Sequence, residues 1–122
     1  MRVTQKPESE RDVQAAILRR FATCAWLRLW RINVGTYLSQ DGRRLVATAP
    51  VGFPDLSGIL PRGRAFFIET KSQRGRTSPE QMAFLKMANA RGALSCVARS
   101  VEDVEQVLRI EGYGGYLDAA RA

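Results

Sequence analysis

The chain has 122 residues, which is long enough for one compact domain with a hydrophobic core of its own. Its formal net charge is +7, with sixteen arginines against three lysines. Because the planar guanidinium suits phosphate groups, an acidic polymer such as nucleic acid is the expected partner, and the absence of histidine excludes histidine-based catalysis and zinc sites that need imidazole.

The N-terminal segment from Met1 to Glu10 is polar without a signal-peptide core, and no apolar run reaches membrane-spanning length. We therefore expect a soluble, cytoplasmic protein. Ser9-Glu10-Arg11-Asp12 has the pattern of a capping box and predicts a helix that ends near Phe21. Glu10 falls on the inward side of this helix, where it either complements the helix dipole or faces a site.

A strand and a basic ribbon are predicted next. Apolar and polar residues alternate from Leu27 to Val34, as in a strand, and Gly35 ends it. Asp41-Gly42 is a hairpin-turn signal, with Arg43 and Arg44 just past the tip. The segment is either a basic ribbon or a flexible loop. It is either a solvated turn or, given its position before the acidic strand, an arm that contacts DNA.

The most informative pattern is Gly52-Phe53-Pro54-Asp55-Leu56, followed after a short turn by Phe66-Phe67-Ile68-Glu69-Thr70-Lys71. A hairpin between the two runs lays Asp55 opposite the Glu69 region, and strand geometry puts Glu69 and Lys71 on one face. Solvated surface charges are the simpler interpretation, but the second run is apolar on both faces, as in a buried strand. Converging carboxylates there favour a site for a hard cation such as Mg²⁺.

The next segment predicts a loop and a capped helix. Arg74 and Arg76 lie in a polar loop beside the proposed metal site. Ser78 is placed as the N-cap of the helix, with Pro79 in its first turn and Gln81 positioned to complete a capping box. Gln81 can cap the helix, reach the site, or do both.

The C-terminal part predicts one more strand, Ala93 to Ala98, and a helix capped by Ser100 that runs to about Ile110. We expect the glycine-rich tail from Gly112 to Gly115 to be loosely ordered. The two cysteines, Cys24 and Cys96, stand far apart among apolar residues and are expected to be buried thiols.

The order of elements predicts an α/β fold, with a mixed central sheet flanked by helices on both faces, in α-β-β-β-α-β order. With its motifs, this order resembles the PD-(D/E)XK nuclease superfamily, and within it the VRR-NUC family. The segments that carry the resemblance are Glu10 with Val13-Gln14, Gly52 to Leu56, Glu69 to Lys71, and Ser78 to Gln81.

The resemblance implies a phosphodiester hydrolase that uses Mg²⁺ or Mn²⁺. In such an enzyme Asp55, Glu69 and the backbone carbonyl of Thr70 would bind the metal, and Glu10 would support it directly or through water. Lys71 would orient the attacking water and offset charge in the transition state, whether or not it removes the proton itself. Gln81 would hydrogen-bond near Lys71 or the nucleophile.

We expect one nuclease domain over residues 1–122, with its core at about 9–111. The expected function is structure-specific cleavage of branched DNA, such as four-way junctions, in replication, repair or recombination, by a homodimer. Arg43, Arg44, Arg74 and Arg76 are expected to contact phosphates. The alternatives are a restriction-type or flap nuclease with the same core, and a non-cleaving module that binds nucleic acid.

Overall fold

The structure is a computed structural model that describes residues 8–32, 36–43, 45–47 and 49–119. The helices are α1 (Glu10–Phe21), α2 (Pro79–Ala90), α3 (Val101–Ile110) and α4 (Gly114–Ala119). The strands are β1 (Arg28–Arg31), β2 (Thr36–Leu38), β3 (Leu45–Ala47), β4 (Leu56–Leu60), β5 (Arg64–Thr70) and β6 (Leu94–Ala98). No helix among the described residues combines the length and apolar character needed to cross a bilayer.

Four strands form one mixed sheet in the order β1-β4-β5-β6, which confirms the predicted architecture. β4 is antiparallel to both β1 and β5, whereas β6 runs parallel to β5. A short 3₁₀ turn, Pro61–Gly63, joins β4 to β5, and the register pairs Leu56 with Ile68. This register puts Asp55, the residue before β4, beside Glu69.

Helices cover both faces of the sheet because alternate residues of β5 are apolar on either side. Phe66 and Ile68 join the core formed with α1 and α3, where Ile17 and Leu108 are fully buried. On the opposite face the Phe67 ring packs edge-on against Phe53 and Phe84, the latter from α2. This aromatic cluster anchors α2 beside the end of β5.

The predicted caps are present at three helices. Ser9 Oγ accepts from the Asp12 amide at 3.1 Å, and the Asp12 carboxylate accepts from the Ser9 amide. Ser78 and Gln81 make the same reciprocal pair at α2. Ser100 caps α3 by accepting from the Asp103 amide. Each helix therefore begins where its sequence signal predicts.

β2 and β3 form a separate antiparallel ribbon, so the segment is a ribbon and not a flexible loop, while its contact with DNA stays a prediction. Asp41 organises the turn before β3, because its Oδ1 accepts hydrogen bonds from the Ser39 hydroxyl and from the Arg43 amide. Arg43 is exposed beyond this turn. Arg44 lies outside the described residues.

The strand predicted over Leu27 to Val34 is shorter in the structure. β1 ends at Arg31, and the Ile32 amide donates to the Asp55 carbonyl at 2.8 Å. Residues 33–35 lie outside the described part of the chain. The backbone just after β1 is thus fastened to Asp55, one of the predicted site residues.

The expectation of a loosely ordered tail is wrong. The tail contains α4, whose Leu117 is 1% exposed in the core. Trp26 stacks on Tyr113 and Tyr116, with ring centroids 6.3 and 5.2 Å apart. Glycine content predicted disorder, but the apolar area buried by these side chains outweighs the entropy of ordering the glycines.

Both cysteines are free and partly buried. Burial raises the pKa of the Cys96 thiol to about 12, so we expect this thiol to be protonated at neutral pH.

Strand β6 lies at one edge of the sheet, and a side chain from α2 pairs with it. Asn89 Oδ1 accepts from the Ser95 amide at 2.9 Å, and its Nδ2 donates to the Ser95 carbonyl at 3.5 Å. The Ser95 hydroxyl donates to the Leu85 carbonyl. The amide of Asn89 therefore replaces a neighbouring strand at this residue.

Candidate metal centre

Three acidic residues from separate elements converge at the end of the β4–β5 hairpin. Glu10 is the first residue of α1, Asp55 precedes β4, and Glu69 lies in β5. One carboxylate oxygen from each lies within 4.8 Å of the other two. The hairpin register brings Asp55 to Glu69, and the packing of α1 on the sheet adds Glu10, whose role the sequence left open.

Thr70 fixes the carboxylate of Asp55. Its amide and its hydroxyl both donate to Asp55 Oδ2, at 3.0 and 2.7 Å. The family resemblance implied a role for the backbone carbonyl of Thr70, but the contact of its hydroxyl was missed. No local pattern shows that a threonine in one strand reaches an aspartate that precedes another strand. Asp55 is therefore oriented before any ligand binds.

Glu69 is the most unusual group in the cluster, since it is 1% exposed. Gln81 Nε2 donates to its Oε1 at 2.9 Å, whereas Oε2 is buried and has no hydrogen-bond partner among the described residues. Burial, followed by the nearby charge of Asp55, raises the pKa of Glu69 to about 8. Burial and Asp55 also raise the pKa of Glu10.

This arrangement fits a divalent cation. Hard ions such as Mg²⁺ prefer carboxylate oxygens, and a buried oxygen without a partner is costly unless something charged or polar satisfies it. The charge of Asp55 contributes to the raised pKa of Glu69 and of Glu10, and a cation bound among the carboxylates would reverse that effect. Glu10, Asp55 and Glu69 are the residues that could hold it.

Lys71 and Gln81 both reach the acidic cluster. Lys71 Nζ lies 3.7 Å from Glu69 Oε1, and the residue is buried, which is uncommon for lysine. Gln81 uses its Oε1 to accept from the Ser78 amide and its Nε2 to bind Glu69. Of the alternatives for Gln81, the structure shows both: it caps α2 and contacts the site.

Three of the four arginines predicted to contact phosphates lie in the described part of the chain. Arg74 and Arg76 lie exposed on the loop after Lys71, and Arg43 is exposed on the ribbon. A cavity of about 560 Å³ opens at the start of α1. It is lined by Glu8, Ser9, Ser72, Gln73 and Arg74.

The VRR-NUC domain model matches residues 8–102, which include every acidic residue of the centre. The chain belongs to the VRR-NUC family. A solved structure described as a VRR_NUC domain is 30% identical, covering 85% of this chain and 96% of that chain, with a TM-score of 0.57. A second, described as a VRR_NUC domain protein, is 18% identical over 91% of this chain and 92% of its own, also with a TM-score of 0.57, and supports the fold. No curated protein matches significantly.

VRR-NUC domains are of nuclease type, so membership accounts for the mixed sheet and for the acidic cluster at the end of its hairpin. The VRR-NUC match ends at residue 102, near the start of α3. The remainder of α3 and the whole of α4 therefore follow the matched region, yet they complete the core through Leu108 and Leu117.

Proposed function

We propose that this VRR-NUC protein is a structure-specific DNA endonuclease that depends on Mg²⁺ or Mn²⁺ and hydrolyses phosphodiesters in branched DNA. The observation that carries the proposal is the convergence of Glu10, Asp55 and Glu69 within 4.8 Å, beside a buried lysine. Such a set serves phosphodiester hydrolysis, in which negative charge must be stabilised at the phosphate.

In this proposal Asp55 and Glu69 hold the metal with the backbone carbonyl of Thr70, and Glu10 supports it directly or through water. When bound, the cation would polarise the scissile phosphate and lower the pKa of a water molecule. Gln81 keeps Glu69 in one orientation by its 2.9 Å hydrogen bond, and the hydroxyl of Thr70 does the same for Asp55.

Lys71 orients the attacking water and offsets charge that develops on the phosphate. Its ammonium group is already directed toward the centre, 3.7 Å from Glu69, and its burial removes competing water. A positive charge fixed in a poorly solvated place acts more strongly than one in bulk water.

Arg43, Arg44, Arg74 and Arg76 are proposed to bind the DNA backbone. Those that the structure describes are exposed on the ribbon and on the loop after Lys71. Phosphate contacts of this kind give affinity and register without reading sequence, as cleavage directed by DNA shape requires.

The proposed working unit is a symmetric homodimer, because resolving a four-way junction takes two incisions at symmetry-related phosphates. Exposed apolar side chains on one face of β1 and β4 support self-association: Trp30 is 42% exposed and Ile59 is 50% exposed. In the homodimer the two metal centres would act on opposite strands.

The decisive test of the chemistry incubates labelled duplex, flap and four-way-junction DNA with the purified protein, with and without Mg²⁺ or Mn²⁺. We expect cleavage only with the metal, and we expect Asp55→Asn, Glu69→Gln and Lys71→Ala each to abolish it while DNA binding persists. Glu10→Gln should reduce activity less if its contact to the metal runs through water. Undiminished cleavage by Lys71→Ala would refute the role of this lysine.

Oligomeric state is tested separately, by light scattering and by the positions of the cuts. A homodimer should have twice the mass of the 13.6 kDa chain and should cut a four-way junction in symmetric pairs. A monomer that makes single, unpaired nicks would refute the dimer and leave a flap nuclease as the better assignment. Tight binding without any cleavage would instead favour a nucleic-acid-binding module.

A further inference from the structure

Arg99, in the connection between β6 and α3, binds the turn that follows Lys71. Its Nη1 donates to the carbonyls of Ser72 at 2.5 Å and Gly75 at 2.7 Å, with a longer contact to Gln73 at 3.3 Å. Hydrogen bonds from a charged donor are stronger than those between neutral groups, so one side chain holds most of this turn.

Arg99 is itself fixed by the first turn of α3. Its amide donates to Asp103 Oδ2 at 2.8 Å, and the Asp103 amide donates to Ser100 Oγ at 3.2 Å. The capped start of a helix is a rigid support. The turn after Lys71 is thus attached to an element on the opposite face of the sheet from α2.

The turn lies against the stem of Lys71. A methyl group added at Gly75 would lie 3.1 Å from Ser72 Oγ and 3.4 Å from Lys71 Cδ, so the backbone at Gly75 closes over the lysine. The Lys71 amide also donates to the Ala98 carbonyl, next to Arg99. Consequently the Lys71 side chain is 10% exposed, with its ammonium near Glu69.

We infer that Arg99 is a positioning residue for Lys71, an inference that rests on the proposed function of that lysine. The lysine stem has several rotatable bonds, and its ammonium is strongly hydrated, so an uncovered Lys71 would turn toward solvent. Arg99 prevents this by holding the 72–75 turn over the stem. The role is invisible in the sequence because Arg99 stands 28 positions after Lys71 in a strand-to-helix connection.

The first test measures lysine acylation by mass spectrometry and does not require activity. Lys86 is exposed on α2 and serves as an internal reference. Arg99→Met keeps an unbranched side chain but removes the guanidinium donors. In this variant we expect Lys71 to react about tenfold faster relative to Lys86, since the turn opens locally. Arg109→Met removes an exposed pair with Asp118 and should leave the Lys71 rate unchanged.

The second test measures cleavage. We expect Arg99→Met to lower kcat by about tenfold to a hundredfold with KM within about twofold, because misplacing a catalytic group affects the transition state more than binding. Arg99→Lys, which retains a charged donor, should recover part of kcat. Arg99→Gln, which keeps a shorter, neutral donor, should show both effects more weakly and keeps the test available if Arg99→Met fails to fold.

A Lys71 acylation rate and a kcat equal to those of the unmodified protein in Arg99→Met would overturn the inference. A fall in kcat that Arg109→Met reproduces equally would also overturn it, because the fall would then reflect general destabilisation. If the unmodified protein does not cleave DNA, the proposed function fails, while the acylation result still decides whether Arg99 holds Lys71.

Discussion

The neighbours of Glu69 differ in what they do to its carboxyl group. Gln81 fixes one of its oxygens, Lys71 supplies a nearby positive charge, and the other oxygen is buried without a partner among the described residues. The raised pKa follows mainly from that burial. At neutral pH and without a cation, the group therefore retains a proton that an exposed glutamate would have released.

This proton predicts a pH dependence of stability in the metal-free protein. The folded pKa of Glu69 is raised from 4.5 to about 8, so between these values the folded state binds more protons than the unfolded state. Stability should consequently fall as pH rises through this window, by at most ~1.4 kcal/mol per pH unit from this group. Urea unfolding at several pH values in a chelator would measure the slope.

Glu69→Gln should flatten this slope, because the amide does not titrate. Glu102→Gln, which changes an exposed carboxylate on α3, is the matched control and should leave the slope as it is. Equal slopes for the Glu69→Gln variant and the unmodified protein would show that Glu69 does not carry the proton.

The hairpin and the loop before it show how an element positions the site. Gly52 has a φ of 86°, and a Cβ built on it would lie 2.5 Å from the Glu80 carbonyl oxygen in the first turn of α2. The loop before Asp55 can approach α2 this closely only with glycine. The Gly-x-Pro-Asp motif is therefore explained by packing as well as by chemistry.

Gly52 and Gly63 both have a positive φ but differ in the space around them. Gly52→Ala should strongly destabilise the protein and reduce cleavage, because the methyl group collides with α2 and displaces Asp55. Gly63 has a φ of 75° but open space around it, so Gly63→Ala should cost only about 1–2 kcal/mol from the backbone conformation. Denaturant titration and a cleavage assay of both variants would measure this, and equal effects would contradict the packing argument.

Elements with local signals could be predicted from the sequence, and elements defined by distant contacts could not. The caps at Ser9, Ser78 and Ser100 depend on residues three positions away, so a short pattern was sufficient. The helix at α4 depends on Trp26, far away in sequence, and no local pattern indicates that contact. The acidic residues stand in short motifs and could be predicted, whereas the contact of the Thr70 hydroxyl with Asp55 joins distant positions and could not.

Charge acts over the whole molecule. A net charge of +7 carried mostly by arginine favours association with nucleic acid in general, whereas the exposed arginines on the ribbon and on the loop after Lys71 are the ones that we propose to bind phosphates. In this proposal, affinity for DNA depends on the arginines, and cleavage depends on the acidic residues and Lys71.

Removing an arginine that binds one phosphate should reduce the slope of log affinity against log salt by about one unit. We expect this for Arg43→Ala, Arg74→Ala and Arg76→Ala, with little dependence on DNA sequence. Arg91→Ala is the control, since it removes an exposed arginine at the C-terminal end of α2, away from the site. Fluorescence anisotropy across a salt series would measure the slopes, and unchanged slopes in all three variants would place them on solvated surface.

The hydrogen bonds between Asn89 and Ser95 also affect how copies of this protein can associate. An exposed sheet edge can pair with a strand from another chain, and such additions lead to open-ended assemblies as readily as to closed ones. At β6 a single carboxamide occupies the donor and the acceptor that an incoming strand would need. Growth of the sheet beyond β6 is therefore blocked at Ser95, and a strand from another copy would have to add at the opposite edge, formed by β1.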